Sequence, residues 1–211
     1  MEDGKSRDWR GAFSFLGDIM GDILSSAMTY SKLLDIEYQL VLGRKNKTLA
    51  LSIYFDENQF FHLAGLQYLT DRATLLYGDR SYLFQKILSG SITREQIESS
   101  SFYSEIKERV DYLAYLETIM DSNKTIFKYN TKLDAFSSIT ADFLMKNEIQ
   151  SRNIFTFLSQ DKLNGKYFCR SFFPQEDKDY SEGQTTWTLL YKKKIQKTPE
   201  LETVLYDRLK K

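Results

Sequence analysis

At Lys124 the hydrophobic period of this chain changes from about 3.6 residues to about 2, and that switch constrains the fold more than any other feature. Before it, Phe102, Ile106, Val110, Leu113, Leu116 and Met120 recur at helical spacing. Glu105, Lys107, Glu108 and Asp111 lie mostly on the other side, so the spacing predicts one long amphipathic helix. After it, candidate strands at 124–130, 138–145, 152–159, 165–173 and 185–195 follow one another. Leu163-Asn164-Gly165-Lys166 is a turn between the third and fourth, and 174–184 is a polar loop. Successive strands with short links predict an antiparallel meander.

The first half is mainly helical. Residues 1–18 read as a loose polar arm. Ile23, Ala27, Tyr30 and Leu34 mark a helix from Ile19 to Leu34. Residues 36–43 and 48–55 alternate as two strands around the turn Arg44-Lys45-Asn46-Lys47. Asp56, with Gln59 three residues on, caps a helix expected to run to about Leu69. Shorter helices follow at Ser81–Leu88 and after Thr93. Leu201, Val204, Leu205 and Leu209 predict a short last helix. The expected fold class is α+β: N-terminal helices and a β-hairpin packed with a C-terminal antiparallel β-sheet of four to five strands. The expected organisation is an arm (1–18), a single domain (19–197, with a mainly helical part to 123 and a sheet from 124) and a tail (198–211).

Composition narrows the chemistry. One cysteine, Cys169, excludes an internal disulfide and a cysteine-rich zinc site. One histidine, His62, leaves little for a transition metal, so no metal and no cofactor is expected. No apolar run is long enough to span a bilayer, and the N-terminus lacks a secretory pattern. A cytoplasmic protein without a membrane partner is therefore expected. Net charge is zero but uneven: 1–123 holds 13 Lys/Arg against 18 Asp/Glu, and 124–197 holds 13 against 8. A basic half beside an acidic half permits nucleic-acid contact through one surface.

No phosphate-cradling glycine loop, nucleophile elbow or zincin helix is present. Two groups of residues remain. His62 sits at the edge of an apolar helical face, with Gly65 one turn away. An imidazole titrates near neutral pH, and partial desolvation lowers its pKa, which suits acid/base work. A half-buried histidine that merely caps the core is the competing explanation.

The second group is the C-terminal sheet. Strict alternation places Lys166, Phe168, Arg170 and Phe172 on one face of 165–173, and Tyr167, Cys169, Ser171 and Phe173 on the other. On 185–195, Thr186 and Thr188 oppose Trp187, Leu189 and Tyr191. Interleaved basic and aromatic residues can hold phosphates and stack bases. Lys192-Lys193-Lys194 reads as a solvated basic edge. Cys169 reads as an inert small hydrophobe.

The stretch LLDIEYQLVLGRKNKTLALSIYFDENQFFHLAGLQYL, with FHLAGL its most specific part, resembles the phage-associated Barnase–EndoU–ColicinE5/D–RelE-like (BECR) nucleases. IKERVDYLAYLE and FTFLSQDKLNGKYFCRSFFP are similar to the same group, and the resemblance covers roughly 28–195. It implies helices on an antiparallel sheet, RNA as substrate, and attack of the RNA 2′-hydroxyl on the adjacent phosphate without a metal. It also implies a toxin or mobile-element setting. His62 matches the motif histidine. Arg170 or Lys166 would stabilise the phosphorane, and Ser171, Thr186 or Tyr191 would orient the phosphate. The expected catalytic set is His62, Arg170, Ser171 and Thr186. The expected RNA-binding set is Arg44, Lys47, Lys166, Tyr167, Trp187 and Tyr191. A single histidine departs from the two-histidine pattern of some members.

The leading expectation is an endoribonuclease acting on RNA such as tRNA or a guide RNA, with an antitoxin as possible partner. The alternative is a non-catalytic mobile-element inhibitor that binds a host defence protein. The residues expected of an ADP-ribosyltransferase are not evident.

Overall fold

A computed structural model describes residues 21–123, 125–133 and 137–209. The expected arm, Ile19 and Lys124 lie outside the described residues.

Helix α1, Ile23–Leu33, begins at Asp22, whose carboxylate accepts from the Ser25 N–H at 2.7 Å. Ser25 Oγ accepts from the Asp22 N–H at 2.9 Å. This reciprocal cap satisfies two amides that a first turn leaves unpaired. Ile23, Ala27, Tyr30 and Leu33 form its buried stripe. Strands β1 (Ile36–Arg44) and β2 (Lys47–Tyr54) meet at Lys45 and Asn46, with φ of 46° and 60°. Two consecutive positive φ values make the tight hairpin turn whose twist matches its strands.

Helix α2, Glu57–Leu63, is capped by Asp56 and stops well before Leu69. The chain turns left-handed at Gly65, φ 78°, and continues as a single 3-10 turn, Leu66–Tyr68. Gln59 is not part of the cap; it accepts from the Tyr30 hydroxyl at 3.3 Å. Helices α3 (Arg80–Leu88), α4 (Arg94–Glu98), α5 (Tyr103–Leu113) and α6 (Leu116–Asp121) follow. The expected single long helix is thus two, broken at Ala114–Tyr115. Its apolar stripe nevertheless survives the break, because Ile106, Val110, Leu113, Leu116, Ile119 and Met120 are all fully buried.

Strands β3 (Ile126–Lys128), β4 (Phe143–Ile149), β5 (Arg152–Gln160), β6 (Tyr167–Pro174), β7 (Thr185–Lys197) and β8 (Glu200–Asp207) complete the chain. They do not form the expected antiparallel sheet of four to five strands. Seven strands close into a mixed barrel in the order β1-β2-β6-β5-β4-β3-β7, with β7 returning to β1, and β8 is an extra strand on β7. With it stand six α-helices among the described residues.

Two features close the ring. The 13-residue β7 is long enough to pair with β3 through 185–187, with β1 through 188–196 and with β8 through 191–197. The N-terminal hairpin joins the other side through one parallel pair, Ile53↔Tyr167. Alternation in a sequence shows that a segment is a strand; it does not show its partner, and here the partners lie far apart in the chain. The expected C-terminal helix is the strand β8. Its helix-spaced Leu201 and Val204 are 57 % and 51 % exposed, so no buried face selects a helix there.

One continuous core joins α1, α2, α5 and α6 to Tyr38, Leu40, Ile53, Met145, Leu158 and Phe172 of the barrel. β5 is buried on both faces: Phe155 and Phe157 belong to a second cluster with Tyr129 and Leu144, packed by Phe173 and Tyr180.

Candidate active site

His62 lies in the last turn of α2, between buried Phe61 and Leu63, and its ring is exposed. α2 packs on β6, which brings the imidazole to Arg170. His62 is held below the usual histidine range by partial burial first, then by the positive charges of Arg80 and Arg170. The imidazole is therefore neutral at pH 7 and able to take a proton. Arg80, the first residue of α3, stacks its guanidinium 3.5 Å from the centre of the Phe61 ring. That stacking fixes a flexible cation beside the histidine. Neither Arg80 nor Arg170 makes an ion pair among the described residues.

Arg170 owes its place to a β-bulge. The pairing of β5 with β6 runs Phe157↔Ser171 and then Leu158↔Cys169, so Arg170 is the extra residue. A bulge re-aims side chains and reverses the alternation beyond it. Phe172 consequently joins buried Cys169 in the main core, while Phe173 packs with the second cluster. The strict alternation expected for 165–173 is corrected accordingly. Burial pushes the Cys169 thiol up to about 12, as suits an unreactive core residue.

Ser171, next to Arg170, opens into a cleft of about 480 Å³ between α5, β6 and the loop after β6. At its wall the Arg109 guanidinium lies 5.3 Å from the Tyr68 ring centre and 5.4 Å from that of Phe173. A family model described as phage-Barnase-EndoU-ColicinE5/D-RelE like nuclease4 matches residues 22–209. The chain belongs to that family. It is a nuclease family of phage type, the family group that the stretch around FHLAGL resembles. No curated protein and no solved structure matches the chain.

The fold divides the other sequence-based candidates of this family member. Lys166 is engaged by Glu37: Nζ donates to Oε2 at 2.6 Å. Burial alone would raise the Glu37 carboxyl, but hydrogen bonds from Lys166, Ser52 and Gln39 outweigh it and hold the group below its ordinary value. Tyr167 is 8 % exposed, with its ring against Phe143 at 5.6 Å, so it offers no surface for a base.

Thr186, Trp187 and Tyr191 lie on β7, three strands from β6 one way round the ring and four the other. The pair Gly43↔Thr188 puts Arg44 and Lys47 at that same remote end. The structure thus brings His62 near Arg170, leaves Ser171 beside Arg170 in the chain but lining a cleft of its own, and separates Thr186 and most of the expected RNA-binding set from them. Arg80 and Arg109 had no distinguishing sequence signal. Arg80 directly precedes the helix read from Ser81, and Arg109 lies among the charged residues of the long amphipathic helix.

Lys192, Lys193 and Lys194 are not a solvated edge either. Lys192 is buried and donates to the Met120 carbonyl at 2.8 Å and to the Ser122 carbonyl. Lys193 pairs with Glu202 at 2.8 Å, and Lys194 with Glu117 at 2.6 Å and Asp121 at 3.1 Å. Among the described residues no helix is long and apolar enough to cross a membrane.

Proposed function

We propose that this phage-type nuclease cleaves RNA without a metal ion, by attack of a 2′-hydroxyl on the adjacent phosphate. The observation that carries this reading is a neutral imidazole on an open surface beside two cations that make no ion pair among the described residues. A 2′-hydroxyl is a nucleophile already in place. It needs only a base to remove its proton and positive charge to stabilise the phosphorane.

His62 takes the 2′-hydroxyl proton as the 2′-oxygen bonds to phosphorus. Arg170 and Arg80 balance the charge on the equatorial oxygens. The bond from phosphorus to the 5′-oxygen breaks, and that oxygen takes a proton from water. The products are a 2′,3′-cyclic phosphate and a 5′-hydroxyl end.

The test incubates the purified chain with total cellular RNA, with and without chelator, beside His62→Ala. Cleavage that persists in chelator, leaves 2′,3′-cyclic phosphate ends and falls about 10²- to 10⁴-fold in His62→Ala is the expected result. His62 is exposed, so the substitution leaves the unfolding midpoint unchanged. Undiminished cleavage by His62→Ala, or cleavage abolished by chelator, would overturn the proposal.

A further inference from the structure

The cleft beside the His62 group holds a cation whose placement folding alone does not explain. The Arg109 side chain is half-buried, and that burial lowers its pKa; the Tyr68 hydroxyl is its main compensating partner. It makes no ion pair among the described residues, and Glu176 acts on it only from a distance. A half-buried guanidinium with no carboxylate in contact is left with unmet charge that an anion can complete.

The surroundings suit such an anion. The Ser137, Ser138 and Ser171 hydroxyls line the cleft, and Lys178 stands on its wall with its ammonium 5.0 Å from the Tyr180 ring. Glu176 and Asp177 lie on the rim and oppose an anion, but they are exposed and screened by solvent. Lys178 is exposed as well, so half-buried Arg109 carries the least screened charge of the cleft.

From this placement we infer that the Arg109 cleft is a phosphate-binding subsite for the nucleotide next to the scissile one. Arg109 supplies the fixed charge, and Tyr68 and Phe173 hold its plane. Ser171 and the serines at 137 and 138 donate hydroxyl hydrogen bonds. The position follows from the chain itself: Ser171 enters the cleft and Arg170 reaches His62, and the two are consecutive in one bulge. A single-stranded backbone crossing that bulge meets both cations in turn. The assignment to RNA rests on the proposed nuclease reading, while the anion-binding character does not.

The test uses a mixed-sequence 2′-O-methyl hexanucleotide, which has a full phosphate backbone and no attacking hydroxyl. Binding is measured against salt for the wild-type chain, Arg109→Met and Lys178→Met, with unfolding midpoints recorded in parallel. Arg109→Met keeps the apolar stem over Gly65 and removes the charge. Its affinity should fall about tenfold, with a salt slope shallower by about 0.7, the single-strand value for one lost phosphate contact. Lys178→Met gives a smaller loss in the same direction and serves where Arg109→Met does not fold. Inorganic phosphate should compete only weakly if the backbone is the ligand; competition as strong as the hexanucleotide's would overturn the backbone assignment.

Unchanged affinity and slope in folded Arg109→Met would overturn the subsite, whatever the cleavage assay shows. Loss of binding in Arg109→Met with no cleavage by the wild type would leave the subsite standing and remove the nuclease mechanism.

Discussion

Arg109 lies across Gly65 so closely that a Cβ there would sit 2.9 Å from Arg109 Cδ and 2.9 Å from Ile106 Cγ2. The glycine ends α2, provides the left-handed turn at φ 78° and leaves space for the arginine stem on its way to the cleft. Gly65→Ala should therefore fail on two counts. The left-handed conformation alone costs about 1–2 kcal/mol for a residue with a Cβ. The clash with Ile106, fully buried in α5, adds to it because core side chains have little room to move. A urea unfolding curve should show a loss of about 2 kcal/mol or more, and hexanucleotide binding should weaken with the displaced Arg109.

His62 is the only histidine of the chain, so its imidazole protons give an unambiguous NMR titration. The free protein should titrate below the ordinary value of 6.5. Arg170→Ala removes one of the two neighbouring positive charges, so the titration should move upward. Bound hexanucleotide phosphate should also move it upward, by offsetting both cations. If His62 is the base, the pH profile of kcat/KM rises through this pKa and then levels. In Arg170→Ala the inflection shifts to higher pH along with the NMR value. A profile that does not follow the NMR shift would remove His62 from the rate law.

Local structure was legible where residue type alone decides it. Asp56 caps a helix, Lys45-Asn46 turns a hairpin and Gly165 turns between β5 and β6, whereas the Asp22 cap, inside the helix expected from Ile19, was not legible. What the residues did not show was pairing between distant segments. Closure of the barrel depends on Ile53↔Tyr167 and on β7 meeting β1, and neither leaves a mark in the alternation of its own strand. The bulge at Arg170 is invisible for a related reason, since one extra residue shifts a register only relative to the opposite strand. Arg109 was hidden because a lone arginine on a charged helix face looks the same whether it meets water or an aromatic cleft.

Lys192 shows the same ambiguity with an energetic consequence. Burial lowers its ammonium from 10.5 to about 8. A lysine lowered on folding penalises the native state most below the folded pKa, where both states are charged. The penalty is relieved as pH rises from about 8 towards 10.5, because the native state then releases its proton while the unfolded chain keeps it. At about 1.4 kcal/mol per unit, the relief approaches roughly 3 kcal/mol. The stability of wild type relative to Lys192→Met should therefore climb between pH 8 and 10, as read from paired urea curves. Tyrosines titrating in that range are common to both proteins and cancel. A flat difference would mean that the Met120 and Ser122 carbonyls hold the ammonium charged throughout.

Thr156 offers the opposite outcome, a substitution that should stabilise. It is fully buried on β5, between Met145 of β4 and Phe172 of β6, and its hydroxyl has no hydrogen-bond partner among the described residues. An unsatisfied buried hydroxyl costs about 1–3 kcal/mol, and valine fills nearly the same shape without it. Thr156→Val should raise the urea midpoint by an amount worth about 1 kcal/mol and leave the slope unchanged, which marks a gain in the native state rather than a change in the unfolded one. Asn147 is the informative contrast. It is buried too, and its Nδ2 has no partner among the described residues, but its Oδ1 accepts from Ser122 Oγ at 2.6 Å, so Asn147→Leu removes a made hydrogen bond along with an unmade one and should gain less than Thr156→Val. If Thr156→Val lowered the midpoint instead, the hydroxyl would have to be satisfied by water inside the barrel.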